Sequence, residues 1–335
     1  MRIIVAHTRL TALGGGERAT LELVRRLRAR HAVTLLTSDY APTRTFPELA
    51  ELEPRITPPA LWLAQPLAAD AIIAQNFGAR LLALRHSPVI ACIHTMRSRY
   101  LLGGARPDLA LRRALDRRAL ARAARLLANS AFTAARVQAF VGRAAEVVAP
   151  GADEALFAIP PTVGDYALTV GRLAPEKGVA RLLEWHATTP LPLEVIGAGS
   201  AADRARLAPL AMAGRGRLRG PLVGAALHAM YAGARYFAFA PYAEEFGLVA
   251  LDAMAAARPI IAAREGALPE LVEDGVTGFL VRDAEEYQRA AERLLSNDAL
   301  CLRMGLAARE RARAYTWERH AARIEALCEE VAAGS

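Results

Sequence analysis

The fold that this sequence predicts is an α/β protein of two halves, each with a parallel sheet, and three observations carry the prediction. Short apolar runs alternate with longer stretches of helical period, which is the pattern of βαβ units. A Pro- and Gly-rich stretch, residues 150–165, interrupts the alternation, which then restarts. The length of 335 residues fits two domains, each large enough to bury a core.

The first half reads as strands that alternate with helices. A Gly-rich turn follows the first apolar run, and a helix is expected from about Glu17 to Arg30 because its leucines recur at helical spacing. The strands of this half are expected at 3–7, 32–38, 71–75, 89–94, 125–130 and 145–150.

The second half repeats the pattern and ends in helices. Its strands are expected at 166–170, 193–197, 235–240 and 259–263. Terminal helices are expected at about 284–296, 298–313 and 317–331. In sheets of this kind ligands bind outside the carboxyl ends of the strands, so the loops after strands are the places to search for function.

The composition is that of a globular protein in a reducing compartment. Charged residues make up 23% of the chain, and no low-complexity tract is present. Cys92, Cys301 and Cys328 have neither an even count nor metal-ligand spacing, which disfavours disulfides and a zinc site. The first apolar run is too short for a secretion signal, and no stretch approaches about 18 apolar residues. A cytoplasmic protein without a membrane span is therefore the expectation.

Positive charge is concentrated in one segment. The net charge is +8, and the segment from Arg97 to Arg125 holds nine arginines, Arg99 among them, and two aspartates, a local excess of +7. Such a segment binds anionic lipid, a phosphorylated substrate or nucleic acid, or it is a solvated face. It lacks the interleaved aromatic residues that nucleic-acid grooves use, so no nucleic-acid partner is expected. Arg113 and Arg117 lie four apart, which places them on one flank of a helix.

Lysine occurs only once in the chain. Of the 42 basic residues all but Lys177 are arginine, which indicates either a site that needs a compact point charge or the chance survival of one lysine, and the neighbouring residues have to decide. Lys177 lies in VGRLAPEKGV, residues 170–179, which follows a predicted strand and also contains Arg172. Two cations at a strand-to-helix turn suit a diphosphate. The alternatives are a plain ion pair between Arg172 and Glu176 and, for Lys177, a Schiff base.

A glycine-rich loop opens the first helix. GGGER, residues 14–18, lets the backbone approach an anion at Gly15 and Gly16, although an ordinary flexible turn has the same composition. The loop does not match the G-x-G-x-x-G pattern, which argues against a dinucleotide site at this position.

A second candidate loop, residues 241–262, contains carboxylates and a helix start. Glu244 and Asp252 suit the hydroxyl groups of a sugar or a ribose, although a glutamate before a helix also simply complements the helix dipole. The turn Phe246-Gly247-Leu248 exposes backbone N–H groups where phosphate or sugar oxygens can bind. A further stretch, residues 264–281, is either a second contributor through Glu270 or a connecting loop.

Two histidines end predicted strands of the first half. His94 ends VIACIH and lies where a substrate-binding or catalytic group would, and His7 holds the same place after the first strand. A single histidine in such a place is as often structural as functional.

With these motifs assembled, the chain resembles the retaining nucleotide-sugar glycosyltransferases of family 4, which have the GT-B fold of two Rossmann-like domains, and in particular its mannosyltransferase-like members. The resemblance covers nearly the whole length. It rests on GGGER, IHTMRSRY (93–100), LANSAFTAARV (127–137), PGADEALF (150–157), VGRLAPEKGV, LEVIGAGS (193–200), EEFGLVALDAMAAARPIIA (244–262) and LPELVEDGVTGFLV (268–281).

The resemblance implies a domain plan. Residues 1–155 would bind the acceptor, residues 156–314 would bind the nucleotide-sugar donor across a cleft, and residues 315–335 would form a helix that packs back toward the first domain.

The resemblance also implies roles for matching residues. Arg172 and Lys177 would hold the donor diphosphate, and Glu244, with the N–H groups of Phe246, Gly247 and Leu248, would lie near the donor sugar. Asp252 would meet the ribose, His94 the transferred sugar, and Gly15 and Gly16 the donor phosphate and the acceptor. Asp252 is one methylene shorter than the glutamate usual there, and Glu245 replaces a small residue, so donor preference or activity could differ.

The chemistry that follows needs no metal and no cofactor. Cleavage of a sugar–phosphate bond builds negative charge on the diphosphate, which Lys177 and Arg172 can stabilise. No metal-binding D-x-D pair stands in a strand-end loop. Retention is implied by the family resemblance alone, and because the sequence shows no obvious nucleophile for a double displacement, front-face transfer is expected.

The expected partners are a nucleotide-diphosphate sugar, with GDP-mannose favoured over a UDP-sugar, a glycan, lipid-linked or small-molecule acceptor, and an anionic membrane surface bound peripherally through the basic segment. A nucleotide-sugar epimerase of the same fold and a non-catalytic sugar-nucleotide-binding protein remain as alternatives. An NAD-dependent oxidoreductase fits the α/β alternation but lacks its fingerprint.

Overall fold

Two parallel sheets, each in a compact unit of its own, confirm the predicted α/β class. The computed structural model describes residues 1–96 and 107–334. The first unit is Met1–Gly151 together with the segment that begins at Trp317, and the second is Ala152–Thr316. The unit boundaries fall within a few residues of the positions 155 and 314 that the sequence suggested.

The sheet of the first unit is built from short, apolar strands. They are β1 Arg2–Ala6, β2 Arg9–Leu10, β3 Ala32–Thr37, β4 Asp39–Tyr40, β5 Arg55–Ile56, β6 Ala71–Ala74, β7 Val89–Ile93, β8 Arg125–Ala128 and β9 Glu146–Val147. The order is β5-β3-β1-β6-β7-β8-β9 with parallel pairing, and β2 pairs with β4. The chain leaves β1 in one direction along the sheet and returns on its other side at β6, so the switch point lies between these two strands.

Helices cover this sheet, and the last helix of the chain completes its core. The α-helices of the unit are Gly15–Arg28, Pro59–Ala64, Phe77–Arg80, Pro107–Arg122, Ala131–Val141 and Trp317–Ala333, and Pro47–Leu52 and Leu81–Leu84 are 3₁₀ turns. Ile324 and Leu327 of the last helix are buried in one cluster with Leu23 of the first helix. Arg30 binds Glu325 at 2.5 Å and ties the two helices together at their surface.

The sheet of the second unit has the same design. Its strands are β10 Tyr166–Val170, β11 Leu193–Ile196, β12 Gly216–Arg219, β13 Ala234–Phe239, β14 Ile260–Ala263 and β15 Gly278–Val281. They lie in the order β12-β11-β10-β13-β14-β15, all parallel. The switch point is therefore between β10 and β13.

Two strands of this sheet were not predicted. β12 carries arginines at alternate positions and lies at the sheet edge, where Arg217 and Arg219 both bind the buried Glu194 of β11. β15 is buried at all four residues but was included in a connecting loop, because a four-residue apolar run after a Gly turn carries little periodicity.

Helices on both faces of the second sheet bury its apolar strands. The α-helices are Val179–His186, Ala201–Ala213, Gly224–Gly233, Leu248–Ala255, Leu268–Leu271, Ala284–Leu295 and Asp298–Ala312, with 3₁₀ turns at Glu154–Ala158 and Pro175–Lys177. Tyr236, Ala238 and Ile261 of the central strands lie in the largest buried cluster with residues of the flanking helices. The predicted hinge, residues 150–165, contains the boundary between the units and one of these turns.

Many arginines of the second unit bind backbone carbonyl groups. Arg258 is fully buried and donates to the carbonyls of Thr162, Ala234, Pro160 and Ala256. Burial lowers the pKa of Arg258 to about 10, which leaves it charged at neutral pH. A guanidinium has five donors in a rigid fork, whereas an ammonium has three on one atom, so only arginine can satisfy several carbonyls in one plane. Part of the preference for arginine over lysine therefore has a structural cause.

None of the helices in the described residues combines the length and the apolar character that a membrane span requires.

Candidate functional site

The switch point of the second unit brings predicted donor-binding residues of that unit to one edge of its sheet, whereas Gly15 and Gly16 lie in the first unit. Lys177 lies in the loop after β10, and Glu244 lies in the loop after the adjacent strand β13. Gly178 has a φ of +64°, and a Cβ at this position would lie 1.8 Å from the carbonyl oxygen of Ala240. Only glycine allows the two loops to approach so closely.

Lys177 and Glu244 form an ion pair at this edge. The ammonium Nζ donates to the Glu244 Oε2 atom at 2.7 Å, and the side chains are 23% and 12% exposed. Partial burial makes the pair stronger than a surface pair, while the remaining exposure leaves it accessible to a ligand. A phosphate that binds Lys177 would meet an ammonium whose position is already fixed.

Arg172 forms the ion pair with Glu176 that the sequence analysis gave as the alternative to diphosphate binding. Its guanidinium donates to Glu176 at 3.2 Å, and both side chains are more than one third exposed. An exposed ion pair contributes only about 0.2–1 kcal/mol, so a phosphate could displace Glu176 at little cost. The pair is compatible with either role.

The start of the helix Leu248–Ala255 forms the third part of this edge. Phe246 is buried and its ring packs against that of Tyr315 at 6.0 Å, and Gly247 has a φ of +99°. The first N–H groups of a helix lack carbonyl partners within the helix and carry its positive dipole end. The edge therefore offers an ammonium, a guanidinium and helix N–H groups, which together suit a diphosphate.

Asp252 lies inside the same helix and already has a structural partner. Its side chain is buried, and Oδ1 accepts a hydrogen bond from the backbone N–H of Asp153 at 2.9 Å. Asp153 in turn contacts the His228 ring nitrogen Nε2 at 3.0 Å. The shorter side chain of Asp252 thus anchors the turn after residue 152, a role that the sequence did not indicate.

In the first unit, the switch point gathers the glycine loop and His7. The helix Gly15–Arg28 starts after β1, and a Cβ at Gly16 would lie 3.4 Å from the Nε2 atom of His7. Burial lowers the pKa of His7 to about 4, so this imidazole is neutral near pH 7.

His94 follows β7 and contacts a residue that the sequence analysis missed. Its Nε2 lies 2.6 Å from Oε1 of the buried Gln75, which follows β6. With the amide oxygen facing the ring, the Nε2–H group donates and Nδ1 is the acceptor nitrogen. Burial, assisted by the nearby His320, His7 and Arg80, lowers the pKa of His94 to about 3. The first unit thus presents neutral hydrogen-bonding groups, which suit sugar hydroxyls.

The basic segment is described only in part. Arg97 and Arg99 lie outside the described residues. On the helix Pro107–Arg122, Arg113, Arg117 and Arg118 line an open groove of about 870 Å³ together with Phe140, and we call these three arginines the basic flank. Asp116 of the same helix is fully buried and binds Arg80 at 2.9 and 2.7 Å.

One group of side chains in the described residues brings metal-ligating atoms together. Ligand atoms of His31, Glu325 and Glu329 lie within 4.8 Å of one another. Arg30 already binds Glu325, and His31 lies 2.6 Å from the same carboxylate. These contacts account for the cluster as part of the interface between the first and last helices.

Sequence reasoning missed Gln75, Arg181 and Glu265. Gln75 could have been found as the polar residue that ends the apolar run 71–75. Arg181 and Glu265 carried no signal, because they are one arginine among many in a helix and one glutamate in a loop. Their contacts with the Glu244 loop exist only in the folded unit.

Two Rossmann-like units, each with polar candidate residues at its switch point, are the arrangement of the GT-B fold of glycosyltransferases. Family models agree with this assignment. The model described as Glycosyltransferase Family 4 matches residues 13–156, and the model described as Glycosyl transferases group 1 matches residues 164–297. Together the two models match most of the chain, so both units resemble those of these glycosyltransferases.

Curated relatives that match the chain are D-inositol 3-phosphate glycosyltransferases. The protein from Geodermatophilus obscurus is 32% identical over 291 residues, which cover 74% of this chain and 63% of the relative. The protein from Streptomyces avermitilis is 31% identical over 69% of this chain and 58% of the relative, and that from Corynebacterium diphtheriae is 40% identical over 35% and 28%. The chain thus spans less than two thirds of the length of these relatives.

Solved structures match over the whole chain. Anabaena HepE in complex with UDP and glucose has a TM-score of 0.80 at 19% identity and covers 98% of this chain and 99% of its own. Sucrose-phosphate synthase from Thermosynechococcus elongatus has a TM-score of 0.80 at 21% identity, with both chains fully covered. At these identities the likeness establishes the fold.

Proposed function

We propose that the protein is a retaining, metal-independent glycosyltransferase that moves a hexose from a nucleotide-diphosphate sugar to a glycan, lipid-linked or small-molecule acceptor. The observation that carries the proposal is the position of Lys177. The sole lysine of the chain lies at the switch point of a parallel sheet, 2.7 Å from Glu244 and on one loop with Arg172.

In the proposed reaction the bond between the anomeric carbon and the phosphate oxygen breaks, and its electron pair stays on the departing diphosphate. Lys177 and Arg172 stabilise this growing negative charge, as preorganised donors do in other sites, where each contributes about 3–4 kcal/mol. The acceptor hydroxyl attacks the anomeric carbon from the same face, and its proton passes to the leaving phosphate oxygen. Configuration is thereby retained.

The remaining site residues are assigned by the groups they offer. Glu244 holds Lys177 in place and accepts hydrogen bonds from the donor sugar, and the N–H groups near Phe246, Gly247 and Leu248 receive phosphate or sugar oxygens. Asp252 contributes to ribose binding in addition to holding the Asp153 N–H group. In the first unit His94 donates to or accepts from sugar hydroxyls as a neutral ring, and Gly15 and Gly16 leave room for phosphate and acceptor.

The acceptor class follows less directly from the site. The curated relatives act, by their names, on D-inositol 3-phosphate, and the Anabaena structures hold UDP or UDP-glucose. A phosphorylated polyol is therefore one acceptor to test, beside lipid-linked and glycan acceptors, and GDP-mannose and UDP-glucose are both donors to test.

The test is an assay with a donor panel in the presence and absence of each acceptor. Formation of a new glycoside with the anomeric configuration of the donor, unaffected by EDTA, is the expected result. An isomerised sugar released without acceptor would establish an epimerase, and donor binding by thermal shift without turnover would establish a binding protein. Inhibition by EDTA with restoration by a divalent cation would contradict the metal-independent mechanism.

We also propose that the basic flank attaches the protein peripherally to an anionic cytoplasmic membrane face, where a lipid-linked acceptor would reside. Each basic residue near such a surface contributes about 1 kcal/mol, and the contribution is screened by salt. The double variant Arg117→Gln/Arg118→Gln should bind anionic vesicles about thirtyfold more weakly at low salt. Arg282→Gln/Arg289→Gln, which removes two exposed charges from the second unit, is the control. Wild-type protein that stays in the supernatant at low salt would refute the membrane proposal.

A further inference from the structure

The loop that carries Glu244 is held by a single arginine from the neighbouring helix. Arg181 lies in the helix Val179–His186, which begins directly after the Lys177 turn. Its Nε and Nη2 donate to the carbonyl of Ala240 at 3.1 and 2.7 Å, and Nη2 also donates to the carbonyl of Pro241 at 2.5 Å. The guanidinium lies over the Tyr242 ring at 4.0 Å, so contacts with three consecutive residues fix the start of this loop.

Glu265 extends the same contact to the residue next to Glu244. It accepts from Arg181 Nη1 at 2.6 Å through one oxygen and from the Ala243 N–H at 3.3 Å through the other. Ala243 has a φ of +50°, a left-handed conformation that is strained for a non-glycine residue. The surrounding contacts must offset that strain, and the Arg181–Glu265 pair makes one of them directly.

From the other side, the backbone after Glu265 supports Glu244 itself. The N–H of Ala267 donates to the Glu244 carbonyl at 2.8 Å. Gly266 has a φ of +62°, and a Cβ there would lie 2.2 Å from the Glu244 carbonyl oxygen. The segment from Glu265 to Ala267, which Arg181 binds at Glu265, therefore holds the backbone of Glu244 and so orients its carboxylate.

We infer that Arg181 and Glu265 are positioning residues, which form a clamp that aims Glu244 at Lys177 and so sets the ammonium for the departing diphosphate. The inference rests on the proposed function for its consequence in catalysis, whereas the clamp itself is a property of the second unit. Lysine could not replace Arg181, because a single ammonium cannot serve two carbonyls and a carboxylate while lying flat on an aromatic ring.

The chain contains a matched control for Arg181. Arg235 also binds two consecutive carbonyls, those of Leu294 and Leu295, and one carboxylate, Asp298. Its side chain is 12% exposed, against 14% for Arg181. Arg235 is the second residue of β13 and contacts the end of the helix Ala284–Leu295, so its loss should lower stability to a similar extent without touching the Glu244 loop.

Because Lys177 is the only lysine, isotope labelling of lysine reports on this ion pair alone. Protein grown with ¹⁵N,¹³C-lysine gives one side-chain ammonium signal, and the variant Glu244→Gln gives the position of that signal without its carboxylate partner. In Arg181→Gln and in Glu265→Gln we expect the Lys177 signal to move toward the Glu244→Gln position or to be lost through faster proton exchange. In Arg235→Gln it should stay at the wild-type position. Glutamine is used in place of lysine so that each variant retains a single lysine.

Turnover provides the second measurement. For Arg181→Gln we expect kcat, per folded molecule, to fall about tenfold or more while KM for the donor changes less than about threefold, since the clamp acts on charge that develops in the transition state. Arg235→Gln should keep kcat within about twofold of wild type. If Arg181→Gln fails to fold, Glu265→Gln decides the question with the same measurements.

An unchanged Lys177 signal in both clamp variants would overturn the inference, whatever their activity. So would equal losses of kcat in the Arg181 and Arg235 variants, which would reduce Arg181 to a stabilising residue. Failure of the proposed function has a different signature. In that case wild-type protein transfers no sugar from any donor, while the Lys177 signal still responds to Arg181 and Glu265, and the clamp stands as a property of the binding loop.

Discussion

The two switch points of this molecule have the same backbone design and opposite chemistry. In the second unit the edge between β10 and β13 carries an ion pair of Lys177 and Glu244, with Arg172 on the same loop. In the first unit the edge between β1 and β6 carries His7 and Gln75, with His94 in contact with Gln75, and the pKa values of both imidazoles lie well below neutrality. The edge of the second unit suits a diphosphate and the edge of the first unit suits neutral hydroxyl groups. Under the proposed function, the side chains in these loops give two similar sheets different ligands.

The largest effect is expected at the charged edge. Lys177→Ala should lower turnover at least about a hundredfold, because loss of a preorganised charge stabiliser costs about 3–4 kcal/mol. Lys177→Arg should also be impaired, since a planar fork does not replace a point charge. Single-turnover rates at saturating donor are the measurement. Near-wild-type turnover in Lys177→Ala would contradict a catalytic role for the positive charge at the edge of the second unit.

The buried, neutral histidines of the first unit should make the free energy of unfolding depend on pH in acid. His7 and His320 are buried in the first unit with pKa values of about 4, below the usual value of 6.5. The unfolded chain therefore binds more protons than the folded one below pH 6.5, so the free energy of unfolding falls as pH drops from about 6.5 to about 4. At pH 5 each of these histidines should lower the free energy of unfolding by roughly 2 kcal/mol relative to its value at neutral pH.

Chemical denaturation across this pH range is the measurement. His7→Asn should reduce the slope of stability against pH by close to one proton. A wild-type stability that is flat between pH 6.5 and 5 would show that these imidazoles are not held neutral.

A smaller effect is expected for His94. His94→Ala should lower turnover about tenfold, because a neutral hydrogen bond is lost in the transition state. The affinity for the nucleoside diphosphate should stay the same. Calorimetry with the diphosphate and steady-state kinetics separate the two quantities. A weakened diphosphate affinity would instead indicate that the first unit also recognises charge.

The smallest effect concerns Asp252, whose carboxylate binds the Asp153 N–H group and is also proposed to bind the ribose. Asp252→Ala should weaken nucleoside diphosphate binding about fivefold and also lower the melting temperature, because the Asp153 N–H loses its acceptor. Asp252→Glu, which restores the longer side chain, should tighten binding. An unchanged affinity in both variants, with only the melting temperature altered, would make Asp252 purely structural.

Much of the fold was accessible from the sequence because parallel strands buried on both faces are mostly apolar. The predicted strands 166–170 and 193–197 agree with Tyr166–Val170 and Leu193–Ile196 to within a residue. The edge strand β12 was not predicted, because its arginines are stabilised by Glu194 of the neighbouring strand, and no local sequence pattern shows such a contact. Strand Gly278–Val281 escaped because four residues are too few to display a period.

For the candidate site, the sequence by itself determined the identity and the loop of each charged residue, since a sole lysine, a GGGER loop and the spacing of Glu244 and Asp252 are local features. Only the tertiary structure decided which residues pair. The Lys177–Glu244 contact, the Arg181 clamp and the hold of Asp252 on Asp153 join residues more than fifty positions apart. Such pairings follow from strand order and from the close approach at Gly178, and both are set when the sheet assembles.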